Sequence, residues 1–73
     1  MKVKVRIDTM SDVRGFVEIV NQVPGKVRLT SEDGLCINAK SFLGVAHAAE
    51  FDNIWCVSDN DIYTKIEKFI IID

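Results

Sequence analysis

The side chains with the most chemical potential in this 73-residue chain are two cysteines, one histidine and several scattered carboxylates. Cys36 and Cys56 fit neither a Cys-x-x-Cys redox pair nor the spacing of a zinc site, and both stand in apolar, strand-like runs. They are expected as buried or half-buried thiols of a cytosolic protein. His47 falls in or just after a short helical segment, away from either cysteine in sequence, and reads as an ordinary, partly exposed histidine. No metal-ligand cluster, nucleophile–base pair or glycine-rich phosphate loop is visible. No enzymatic activity, metal or cofactor is therefore expected.

The charged side chains point the same way. Nine basic against eleven acidic residues give a formal charge of −2, and net acidity weighs against a dedicated nucleic-acid binder. Lys2, Lys4, Arg6, Lys26 and Arg28 could form a basic sheet face for RNA or an acidic protein. No aromatic residue is interleaved among them in sequence, so bases would have no stacking platform. They read as a solvated face that discourages edge pairing, and nucleic acid is not an expected partner. Trp55 is assigned to the core or to an edge contact, not to a ligand platform.

The elements that must position these groups follow from periodicity. Val3, Val5 and Ile7 alternate with Lys2, Lys4 and Arg6, the pattern of a strand with one buried and one wet face. Thr9, Ser11 and Asp12 supply helix-capping chemistry. Phe16, Ile19, Val20 and Val23 then form one helical stripe, ended by Pro24-Gly25. Lys26–Thr30 alternates again, Asp33-Gly34 signals a hairpin, and Leu35–Asn38 returns antiparallel. Ser41 is placed as N-cap of a short helix beginning at Phe42. Ile54–Val57 reads as a fourth strand. Ser58 with Asp61 resembles a capping box for a last helix carrying Ile62, Ile66, Phe69 and Ile70.

The order is βαββαβα over residues 1–73, a single domain of the α+β class. The expected architecture is an open-faced β-sandwich, a four-stranded antiparallel sheet with three helices on one face. The apolar 48% suits a folded chain. Apolar runs are too short to cross a bilayer, and Met1–Arg6 alternates charge with valine instead of forming a signal core. A cytoplasmic location without membrane association is expected.

This order, together with Asn38-Ala39-Lys40-Ser41-Phe42-Leu43-Gly44-Val45, resembles the HPr family, the small histidine-containing phosphocarriers of the bacterial phosphoenolpyruvate-dependent sugar phosphotransferase system. In that family a strand ending in Asn-x-Lys-Ser leads into a short helix with two apolar residues followed by Gly-Val. The second family motif, Gly-[Ile/Leu]-His-Ala-Arg-Pro at the start of the first helix, is altered. Met10-Ser11-Asp12-Val13-Arg14-Gly15 stands there, so Asp12 occupies the histidine's place, Arg14 keeps the arginine and Gly15 replaces the proline.

The resemblance implies a regulatory or interaction variant that lacks normal histidyl phosphotransfer, because the imidazole nucleophile is gone. Asp12 has three readings: a helix-capping carboxylate, a permanent charge that imitates the phosphorylated state and pairs with Arg14, or an acyl-phosphate acceptor. Asp12 and Arg14 are the implied phosphate- or partner-binding residues. Ser41 matches a serine that an ATP-dependent kinase phosphorylates in some HPr-like proteins, and Phe42 and Leu43 form the implied docking patch. The implied partners are phosphotransferase proteins, a transcriptional regulator and a serine kinase. Two alternatives stay open: a carrier active through Asp12 or another site, and an interaction module with partners outside the phosphotransferase system.

Overall fold

The computed structural model describes residues 1–72. Its elements, in chain order, are β1 (Lys2–Val5), α1 (Met10–Val20), β2 (Val27–Ser31), β3 (Cys36–Asn38), α2 (Phe42–Ala48), β4 (Ile54–Ser58) and a single 3-10 turn, Glu67–Phe69. The strands form one sheet in the order β1-β4-β2-β3, and every pairing is antiparallel. The fold is thus α+β, with a four-stranded antiparallel sheet and two α-helices.

The pairing register sorts each strand into two faces. Cys56 lies between Val3 and Leu29, and Leu29 opposes Ile37, so this row faces inward. Val5 and Ile54 form a second inward row. Val13, Phe16 and Val20 of α1 and Val45 and Ala48 of α2 cover these rows and complete one core cluster. The reverse face carries Lys2, Val57, Arg28 and Asn38 in one row and Lys4, Trp55, Thr30 and Cys36 in the next. None of these eight residues is buried, and no helix covers them.

Local chemistry sets the element ends. The β2–β3 hairpin closes where Gly34 adopts φ +92°, a conformation that costs glycine little. Ser31 N–H donates to Leu35 O at 3.1 Å across the turn. α1 ends at Val20, three residues before the stripe does, and Val23 is buried from the following turn.

The third helix expected over Ile62–Ile70 is not formed. Ile62, Ile66 and Phe69 are buried as that stripe requires, but they reach the core from turns. The capping box does not form either: Ser58 Oγ donates to Asn60 O, and Asp61 Oδ1 accepts from Tyr63 N–H at 3.0 Å. Two causes combine. Ile62, Thr64, Ile66, Ile70 and Ile71 are β-branched and lower helix propensity. The tail also gains a sheet edge, where Arg6 N–H donates to Phe69 O (2.8 Å) and Ile71 N–H donates to Lys4 O (3.0 Å). Ile70 bridges Val5, so the segment shields part of the otherwise open β1 edge.

Candidate functional site

At the start of α1, Thr9 is the N-cap in an extended conformation (φ −116°, ψ 164°). Thr9 Oγ1 accepts from Asp12 N–H at 3.1 Å. Asp12 Oδ2 accepts from Thr9 N–H at 3.3 Å and from Asp8 N–H at 3.2 Å. This is a reciprocal capping box with aspartate at the third helical position. The carboxylate is turned back onto the chain that enters the helix.

Arg14 is exposed two positions on, and side chains at i and i+2 do not face each other on a helix. The Asp12–Arg14 pair, one of the three readings of Asp12, does not occur among the described residues. Among the described residues the only approach of a basic side chain to a carboxylate within 4.0 Å is that of His47 Nδ1 to Glu50 Oε2, at 3.7 Å. The ring of His47 also meets Phe51 edge-on at 5.5 Å. No hydrogen bond or ion pair among the described residues joins His47 to Asp12 or Arg14.

A cleft of about 430 Å³ opens beside the α1 start, lined by Arg6, Asp8, Asp12, Lys68 and the tail from Phe69 to Ile72. Arg6 and Lys68 are cations that the motif comparison does not pick out. No local pattern could have found them, because the C-terminal tail brings them together by running along β1. An anionic group entering here would meet these two cations, but also the carboxylates of Asp8 and Asp12.

The start of α2 is built differently. Ser41 is the N-cap, as its type and position predict, and its Oγ accepts from Gly44 N–H at 3.2 Å. Asn21, the C-cap of α1, donates through Nδ2 to Lys40 O at 3.1 Å, and Lys40 Nζ donates to Val23 O at 2.9 Å. These bonds fasten the start of α2 to the end of α1. Phe42 and Leu43 point outward there, 39% and 80% exposed. Asp12 and Ser41 are therefore separated by roughly 14 Å of helix, from Asp12 to Asn21 at 1.5 Å per residue. The structure gathers Ser41, Phe42 and Leu43 at one end of α1 and leaves Asp12 and Arg14 toward the other.

Two assignments on the strands need correction. Cys36 is exposed, because it pairs with Thr30 on the outer face, while Cys56 pairs with Leu29 on the inner face. The two thiols thus lie on opposite sides of the sheet. Burial pushes the Cys56 thiol up to about 11, with the amino terminus acting in the opposite sense. Trp55 belongs to the outer face, not to the core. It opposes Lys4 directly, and the Nζ atoms of Lys2 and Lys4 each lie 5.7 Å from its ring centroid. The basic strand residues do have an aromatic neighbour, supplied by pairing instead of sequence adjacency.

No helix of the described residues is long and apolar enough to cross a membrane. Compared with protein-family models, curated proteins and solved structures, the chain matches none of them.

Proposed function

We propose that this chain is an HPr-like regulatory or interaction protein of the bacterial sugar phosphotransferase system that works without histidyl phosphotransfer. The observation that carries the reading is the start of α2, where the Ser41 hydroxyl caps the helix beside the outward-facing Phe42 and Leu43. A phosphate on Ser41 would add about −1.5 to −2 charges next to an apolar patch, a change that a docking partner can sense by both charge and shape. The partner is a phosphotransferase protein or a transcriptional regulator, the modifying enzyme is a serine kinase, and the setting is cytoplasmic. Arg14 stands ready for a partner's acidic or phosphorylated group.

The α1 start supports the loss of carrier activity. Asp12 replaces an imidazole, and its carboxylate already accepts two backbone hydrogen bonds. That engagement favours the capping role over transfer through Asp12. The reading assigns the chain no catalysis of its own.

Incubation with ATP and the serine kinase of the system, followed by site mapping, tests the proposal. The expected result is one phosphate on Ser41, none on Ser41→Ala, and tighter capture of a regulator by the phosphorylated chain. An unlabelled native chain contradicts the regulatory role. Recovery from its own cells of partners wholly outside the phosphotransferase system would favour the independent interaction module.

A further inference from the structure

The outer face of the sheet has no role in that proposal, and its composition is one-sided. None of the four strands contains an aspartate or glutamate; the acidic residues lie in helices, turns and connections. The outward positions instead present Lys2 and Lys4 from β1 and Arg28 from β2. Between them, on the central strand β4, stand Trp55 and Val57. The net charge of −2 thus averages over a strand face whose charged side chains, Lys2, Lys4 and Arg28, are all cationic.

We propose that this face is a docking platform for single-stranded RNA, with Trp55 as the stacking surface and Lys2, Lys4 and Arg28 as phosphate contacts. The proposal goes beyond the regulatory reading and uses none of its residues. Cations on both neighbouring strands give charge complementarity to a polyanion. The half-exposed indole gives what an acidic polypeptide would not require, a flat aromatic surface on which a base can stack. Lys2 and Lys4, two residues apart on one strand, sit about 7 Å from each other along it. Their stems are flexible, so each ammonium can leave the indole for a phosphate while the ring takes a base.

The exposed sheet face presents no helix or ribbon to a duplex groove, whereas single strands lay unstacked bases on aromatic side chains. Thr30 and Asn38 lie in the same two outward rows and offer groups that can hydrogen-bond a 2′-hydroxyl. Their presence favours RNA over DNA as occupant.

Trp55 is the only tryptophan, so its fluorescence reports this face alone. Titration of the full chain with a ten-nucleotide oligouridine at low salt should quench it saturably. The plot of log affinity against log salt should have a slope of about −2, for three phosphates neutralised on a single strand. With labelled RNA and anisotropy detection, Lys2→Glu and Lys4→Glu should each weaken binding about tenfold or more. Trp55→Leu should weaken it about five- to hundredfold, and Leu43→Ala on the other side of the molecule should leave it unchanged. Circular dichroism of each variant separates loss of contact from loss of fold; the exposed Lys2 carries the test should Trp55→Leu unfold. Absence of saturable quenching overturns the proposal. So does equal or tighter binding of poly-glutamate, of duplex RNA or of the matching oligodeoxynucleotide, or an unchanged affinity in the well-folded Lys2→Glu chain.

Discussion

Asp12 carries a structural duty at the start of α1, closing the capping box of that helix. Its oxygen accepts from the backbone of Asp8 and Thr9, while Thr9 returns a bond to the Asp12 N–H. Removing the carboxylate in Asp12→Ala should cost about 0.5–2 kcal/mol by urea denaturation, the range for loss of a helix cap. The cysteines provide a second check at this scale. Under native conditions iodoacetamide should modify Cys36 readily and Cys56 only on unfolding, as intact-mass analysis would show. Burial raises the Cys56 thiol from 9.0 to about 11, so the folded state holds its proton more tightly than the unfolded state does. The stability linked to that proton is fully present below pH 9 and lost as pH rises through about 11. Denaturation midpoints should therefore fall more steeply across this window in the native chain than in Cys56→Ala.

Element by element, what the sequence made legible was local. The caps Thr9 with Asp12 and Ser41, the Asp33-Gly34 turn and the alternation in the first two strands all depend on neighbours within a few residues, and each occurs in the fold. The C-terminal segment was not legible in that way. Its apolar residues have helical spacing, but β-branched propensity and the free edge of β1 decide the outcome, and the second of these is invisible along the chain. Phe69 meets Phe16 edge-on at 5.3 Å. Phe69→Ala should cost about 3–5 kcal/mol despite lying outside any long element. Gly15 in α1 faces the same turn. A methyl group there would sit 3.7 Å from Phe69 Cζ and 4.0 Å from Lys68 Nζ, both ordinary contacts. Gly15→Ala should therefore stabilise the chain by about 0.5–1 kcal/mol through helix propensity, read as a higher denaturation midpoint.

At the scale of the whole molecule, the antiparallel order β1-β4-β2-β3 separates three surfaces. The α1 start lies with Arg6 and Lys68 in one cleft, the α2 start holds Ser41, Phe42 and Leu43, and the reverse of the sheet holds Trp55 among cations. The Ser41 cap was readable from the chain, but the grouping of Arg6 and Lys68 beside the α1 start was not. Asp12 lies at the start of α1 whereas Ser41 follows Lys40, which is bonded to the end of α1, and Lys4 and Trp55 become neighbours through strand pairing between distant segments. The proposed loss of carrier activity rests on Asp12 closing a helix cap instead of accepting phosphate. Its most direct test supplies phosphoenolpyruvate bearing radiolabelled phosphate, together with enzyme I and an active HPr as control. The control should be labelled and this chain should remain unlabelled, whereas acid-labile phosphate mapped to His47, or label abolished by Asp12→Ala, would contradict it.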